Sequence, residues 1–177
     1  MNVFESRAAE LERLNERLLE LSRHRRESPE ATAAWREAAR AFHANYDRLA
    51  FPGGLAREFE RLRNGDPEAI EPAVRYLEAN PWYFRSGYHK AEMLKFLKRN
   101  PLSEGQCARL RKVILDRVRG NPVREMRAYC RLAPRVADEQ FEAELLAINQ
   151  KSNCHAARGA GWVLEYLRAA KAGSTFS

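Results

Sequence analysis

Hydrophobic positions recur every three or four residues along nearly the whole chain, and nowhere do apolar and polar residues alternate over the length of a strand. The pattern predicts an all-α fold. Phe4, Leu11 and Leu18 stand seven apart, and Leu14 and Leu21 fill the second position of the same seam, a heptad arrangement set among Glu and Arg. Ser28-Pro29-Glu30 interrupts it. Ser28 suits an N-cap, and Pro29 suits the first helical position, where its missing N–H has no partner to lose. The next helix carries Trp35, Phe42 and Leu49, again seven apart, with Ala38, Ala39 and Tyr46 between them. Two matched seams joined by a tight turn predict an antiparallel helical hairpin over residues 1–50. Its seam either packs on the rest of the chain or joins two copies into a homo-oligomer.

Phe51-Pro52-Gly53-Gly54 marks the boundary to a second domain, residues 51–177. A short helix with Leu55, Phe59 and Leu62 inward follows, closed by Asn64-Gly65. The punctuation then becomes regular: Asp66-Pro67, Asn80-Pro81, Asn100-Pro101 and Asn121-Pro122 are Asx-Pro steps, each able to end one helix and cap the next. Ser103-Glu104-Gly105-Gln106 has the form of a capping box. Between these marks the pattern predicts helices over 67–79, 85–99, 104–119, 122–133, 138–150 and 153–170, which make three pairs. Phe96-Leu97, Tyr129-Cys130 and Tyr166-Leu167 occupy comparable places in the second helices, and Leu77, Leu115 and Leu146 in the first. These intervals fall near the period of two-helix repeats, and residues 66–170 resemble HEAT or armadillo-type repeats in period and helix pairing. The resemblance implies a short α-solenoid of about three helical pairs, in which like-numbered helices line one surface. An irregular helical bundle is the alternative.

Composition narrows the setting. The 177 residues are 45% hydrophobic and 31% charged, which describes an ordered chain. No apolar run reaches the ~20 residues that cross a bilayer, and charges throughout the first helix argue against a signal peptide and a membrane partner. Three cysteines form no disulfide framework, so a reducing, cytoplasmic setting is expected. Arg far outnumbers Lys, which hints at a GC-rich bacterial genome.

The net charge of +7 is not spread evenly. Residues 81–135 hold 14 basic and 4 acidic side chains, and every other stretch is neutral or slightly acidic. At about 100° per residue, Arg124, Arg127 and Arg131 fall on one side of a helix, opposite Met126, Tyr129 and Cys130. Pro134 is expected to end that helix before Arg135 joins the row. Lys95, Lys98 and Arg99 lie opposite Met93, Phe96 and Leu97, and Arg109, Lys112 and Arg119 opposite Leu110 and Ile114. The first two stripes sit on second helices and are expected to share a face; the third belongs to a first helix and to another face. Rows of like charge are slightly destabilising, so they point to an anionic partner, an acidic protein or a nucleic-acid backbone.

Pro81-Trp82-Tyr83-Phe84-Arg85-Ser86-Gly87-Tyr88-His89-Lys90 packs aromatics and cations together. Trp82, Tyr83 and Tyr88 are candidates for stacking on bases, with Arg85 and Lys90 beside them for phosphates. For Trp82 and Phe84 the favoured expectation is that they plug a helix junction. Cys107, Cys130, Cys154 and His155 have no metal-site spacing, and no nucleophile elbow, phosphate loop or zinc motif occurs. Arg158-Gly159-Ala160-Gly161 follows no strand and reads as a close helix contact beside Trp162. The expectation is a non-catalytic binding or scaffold module without cofactor or metal. It would grip its partner through Arg85, Lys90, Lys95, Lys98, Arg99, Arg124, Arg127 and Arg131. Two alternatives stay open: a sequence-nonspecific DNA- or RNA-binding protein, resembling the helical-repeat DNA glycosylases in architecture alone, and a bacterial immunity or accessory protein.

Overall fold

Side-chain caps start most of the helices. Asn2 accepts from the amides of Phe4 and Glu5 while Glu5 accepts from Asn2, and α1 runs Val3–His24. Ser28 accepts from Ala31 and opens α2, Pro29–Ala50, with its proline in the first turn. Ser103 and Gln106 close the predicted capping box at α6, Glu104–Arg119, and Asp138 caps α8, Glu139–Asn149. The others are α3, Leu55–Arg63; α4, Pro67–Ala79; α5, Ser86–Leu97; α7, Met126–Val136; and α9, His155–Ser174. This computed structural model describes residues 2–120, 123–151 and 155–174; among them there are helices and no strand. None of these helices is long and apolar enough to cross a membrane.

The first compact unit comprises Met1–Arg61 with Ala79–Ser86. Here α1 packs on α2. Leu11 is wholly buried, the rest of the predicted seam (Phe4, Leu14, Leu18, Leu21) is half-buried, and Ala8 and Ala38 are buried small residues that permit close approach. After α2, Gly53 and Gly54 take φ of 85° and 97°, open to glycine at little cost. A Cβ on Gly54 would lie 2.6 Å from Asp47 Oδ2, and Asp47 uses its other oxygen to accept from Ala56 at the start of α3. The 79–86 segment is strapped to the helices: Phe84 donates its amide to Glu12 at 3.1 Å, and the Tyr46 hydroxyl donates to the Phe84 carbonyl at 2.7 Å.

The second unit comprises Leu62–Glu78 with Gly87–Ser177. Within it α6 packs on α7 and α9, and α9 also packs on α7 and α8. The core holds Tyr76 and Leu77 of α4, Met93 and Leu97 of α5, Leu110 and Ile114 of α6, Tyr129 and Leu132 of α7, Leu145 of α8 and Val163 of α9. Gly159 lies against Val118 of α6, where a Cβ would stand 3.5 Å from the Val118 carbonyl, in line with the close contact read from the small residues.

Several local expectations need correction. Asn80 and Asn100 end helices and do not start new ones. Asn80 takes φ 47°, and Asn100 is buried, its amide donating to the Leu62 and Phe96 carbonyls. Arg85 adopts φ 70° and so falls outside α5, which begins one residue later. Asn121-Pro122 and the expected helix start at 153 lie outside the described residues. Helix α7 passes through Pro134 to Val136, since in the last turn a proline forfeits a single backbone bond, and Arg135 joins the exposed side. Leu146 is exposed, because the register of α8 turns Leu145 inward.

Leu11→Ala should lower stability by about 2–5 kcal/mol in urea denaturation, the cost of a cavity at a fully buried site. Leu19→Ala, at an exposed position on the same helix, should change it by about 0.5 kcal/mol or less.

Candidate polyanion-binding site

The buried side of α7 is set by Glu125, Met126, Tyr129 and Cys130, which places Arg124, Arg127 and Arg131 on the exposed side. Across from α7, helix α5 and its closing turn present Lys95, Lys98 and Arg99. A cleft of about 480 Å³ opens between the two elements, lined by Glu92 and by the cations Lys95, Lys98, Arg99 and Arg131. The small side chains Ala91 and Ala128 leave the space. Lys95 is paired with Glu92 at 2.8 Å. Among the described residues Lys98, Arg99 and Arg131 have no carboxylate partner, and neither do Arg124 and Arg127. Arg124 instead lies over the Tyr88 ring, 4.4 Å from its centroid, and Arg127 reaches the Tyr166 hydroxyl at 3.4 Å.

The basic stripe of α6 is different. Arg109 grips Glu71 and Glu78 with bidentate bonds of 2.6–2.9 Å, and this holds the Glu78 carboxyl below its ordinary range. Arg111 pairs with Glu104 and Asp138, and Arg119 with Glu144 at 2.8 Å. Three of the α6 cations are thus neutralised, whereas Lys98, Arg99, Arg124, Arg127 and Arg131 are left open beside α5 and on α7.

Other expected residues fall elsewhere. Lys90 is buried, 4.0 Å from the equally buried Glu125, and cannot serve as a surface cation. Gly87 makes room for that carboxylate; a Cβ there would lie 2.8 Å from Glu125 Oε2. Tyr83 is buried in the first unit, so it offers no face to a base, whereas Trp82 and Phe84 are exposed on that unit, Phe84 with its ring 6.3 Å from that of Phe42. Arg85 is exposed in the first unit, over the Phe84 ring. Tyr88 is exposed under Arg124. Cys130 is buried, and burial pushes its thiol up to about 11; Cys154 lies outside the described residues.

Sequence reasoning missed a second groove, of about 360 Å³, between α7 and α9, where Trp162 and Tyr166 face Arg124 and Arg127. The signal was present: two aromatics four apart share one side of a helix. No protein-family model, curated protein or solved structure matches the chain.

Burial lowers the Lys90 pKa to about 8 from its ordinary 10.5, with Glu125 opposing the shift. Between these values the unfolded chain holds the proton that the folded chain has released. The Lys90 contribution to stability therefore rises with pH across that window; it is complete above 10.5 and lost as pH falls through about 8. Tyr46 and Cys130, raised by burial to about 12 and about 11, act in the opposite sense at higher pH. Denaturation of the wild type and Lys90→Met between pH 8 and 10 should show the wild type gaining relative to the variant. Parallel curves would contradict the assignment.

Proposed function

We propose that the chain is a non-catalytic helical binding module that engages a polyanion, a nucleic-acid backbone or an acidic protein surface, across the cleft between α5 and α7. One observation carries this reading: two separate elements bring Lys98, Arg99 and Arg131 to one cleft whose lining carboxylate, Glu92, is paired with Lys95, while Arg109, Arg111 and Arg119 of α6 have carboxylate partners of their own. Like charges held together repel, and an anionic occupant relieves the repulsion. Arg and Lys suit the task differently: Arg99 and Arg131 can fork onto phosphate or carboxylate oxygens, and Lys98 adds a mobile point charge.

In this reading residues 1–50 form an antiparallel hairpin, supported by Arg7, early in α1, donating to the carbonyl of Arg48, late in α2. The helices after it form a short solenoid, supported by the packing of α6 on α7 and α8 on α9 as successive pairs, and of α7 on α9 as like-numbered neighbours.

Binding of a labelled single strand, a duplex and polyglutamate, measured by anisotropy across a salt series, tests the proposal. Affinity for the cognate polyanion should fall steeply with salt, by about 0.7–0.9 log units per log unit of salt for each phosphate neutralised. Reversing Lys98, Arg99 and Arg131 to Glu should weaken it by roughly tenfold or more, because three counterion-releasing contacts are lost. Reversing the exposed Glu16 and Glu20 of α1 is the control and should have little effect. Unchanged binding of every polyanion by the triple variant would overturn the reading.

A further inference from the structure

We infer that the groove between α7 and α9 takes the unstacked bases of a single-stranded nucleic acid whose phosphates lie on the α7 arginines; this rests on the polyanion reading above and selects among its ligands. The groove has an apolar bed, Met126 and Cys130, both buried, and one aromatic wall, Trp162 and Tyr166, one turn apart on α9, with the carboxylate of Glu165 also in its lining, so that its two arginines outnumber its one acid. Trp162 is 41% exposed there, an unusually large indole surface left to water beside a formed cavity. At the rim stand Arg124 and Arg127, which have no carboxylate partner among the described residues. Arg124 is already stacked on the exposed Tyr88 ring, which extends the aromatic surface past the groove's edge.

Flat apolar faces beside guanidinium groups match a ligand that joins flat rings to phosphates. The volume, about 360 Å³, lies within the range of small-ligand pockets, about 300–1,000 Å³. A duplex fits less well, because its base faces are stacked on one another and only phosphates and base edges reach a protein. An acidic protein segment would satisfy the arginines and leave Trp162 and Tyr166 with nothing to cover them. Stacking is indifferent to base identity, so the expected preference is for single strands over duplexes, with little sequence selectivity. The α7 arginines would then serve both sides: Arg131 faces the α5 cleft, and Arg124 and Arg127 the base groove.

The test uses the full chain carrying Trp35→Phe and Trp82→Phe, so that Trp162 alone reports. The probes are a short oligothymidylate, an abasic strand of the same length, a duplex and polyglutamate. Oligothymidylate should quench Trp162 fluorescence and bind about tenfold or more tightly than the abasic strand, the return expected from stacking one or two bases. Trp162→Ala should erase that difference and leave abasic binding unchanged, and Trp162→Phe should retain most of it. Equal binding of the two strands without quenching would overturn the base groove while leaving the polyanion reading intact. Polyglutamate or the duplex binding as tightly as oligothymidylate, with the same quenching, would overturn the choice of single strands. If none of the four probes binds, the polyanion reading itself fails, and the groove inference falls with it.

Discussion

The carboxylate of Glu125 decides where α7 begins and which way it faces. It turns inward to within 4.0 Å of the Lys90 ammonium and does not cap its own helix, and the missing Cβ of Gly87 leaves it the space. With that residue pinned inside, helical geometry sends Tyr129, Leu132 and Val136 into the core and Arg124, Arg127 and Arg131 to solvent. Both grooves that flank α7 depend on this phase. The arrangement has a cost: Lys90 is desolvated, and the Tyr129 hydroxyl and Arg117 Nε are buried with no hydrogen-bond partner among the described residues. Packing of the apolar side of α7 against α6 and α9 is what offsets it.

Charge on the second unit is divided by distance along the chain. Arg109 finds Glu71 and Glu78 on α4, and Arg119 finds Glu144 on α8. Helices α5 and α7 carry Glu92 and Glu125 as their own acids, and these are committed to Lys95 and to the interior. A uniform row of cations in the sequence therefore becomes one largely paired stripe and one open cleft.

The aromatic cluster at residues 82–88 is divided between the two units. The left-handed turns at Asn80 and Arg85 bracket a strap that α1 and α2 hold through Glu12 and Tyr46. The strap buries Tyr83 against the Ala50 carbonyl and turns Trp82 outward, the reverse of what size and hydrophobicity favour. Nothing in the local sequence distinguishes the two neighbours, because the hydroxyl that makes Tyr83 the better buried partner matters only once α2 supplies an acceptor.

What the sequence determined alone is what short-range forces decide. Helical periodicity, the Ser28 and Ser103 caps, the Asn64-Gly65 stop and the exposed side of α7 all rest on interactions within about one helical turn. The cations of the cleft were legible for the same reason, since each faces away from its own helix's apolar side. The tertiary structure decided the rest: that Lys90 is buried, that Arg109, Arg111 and Arg119 of α6 are paired, that Tyr83 is inward, and that Trp162 and Tyr166 stand beside Arg124 and Arg127. Each of these turns on a partner tens of residues away in the chain, and the free energy of a charge or an aromatic face is set by what packs beside it, not by its place in the sequence.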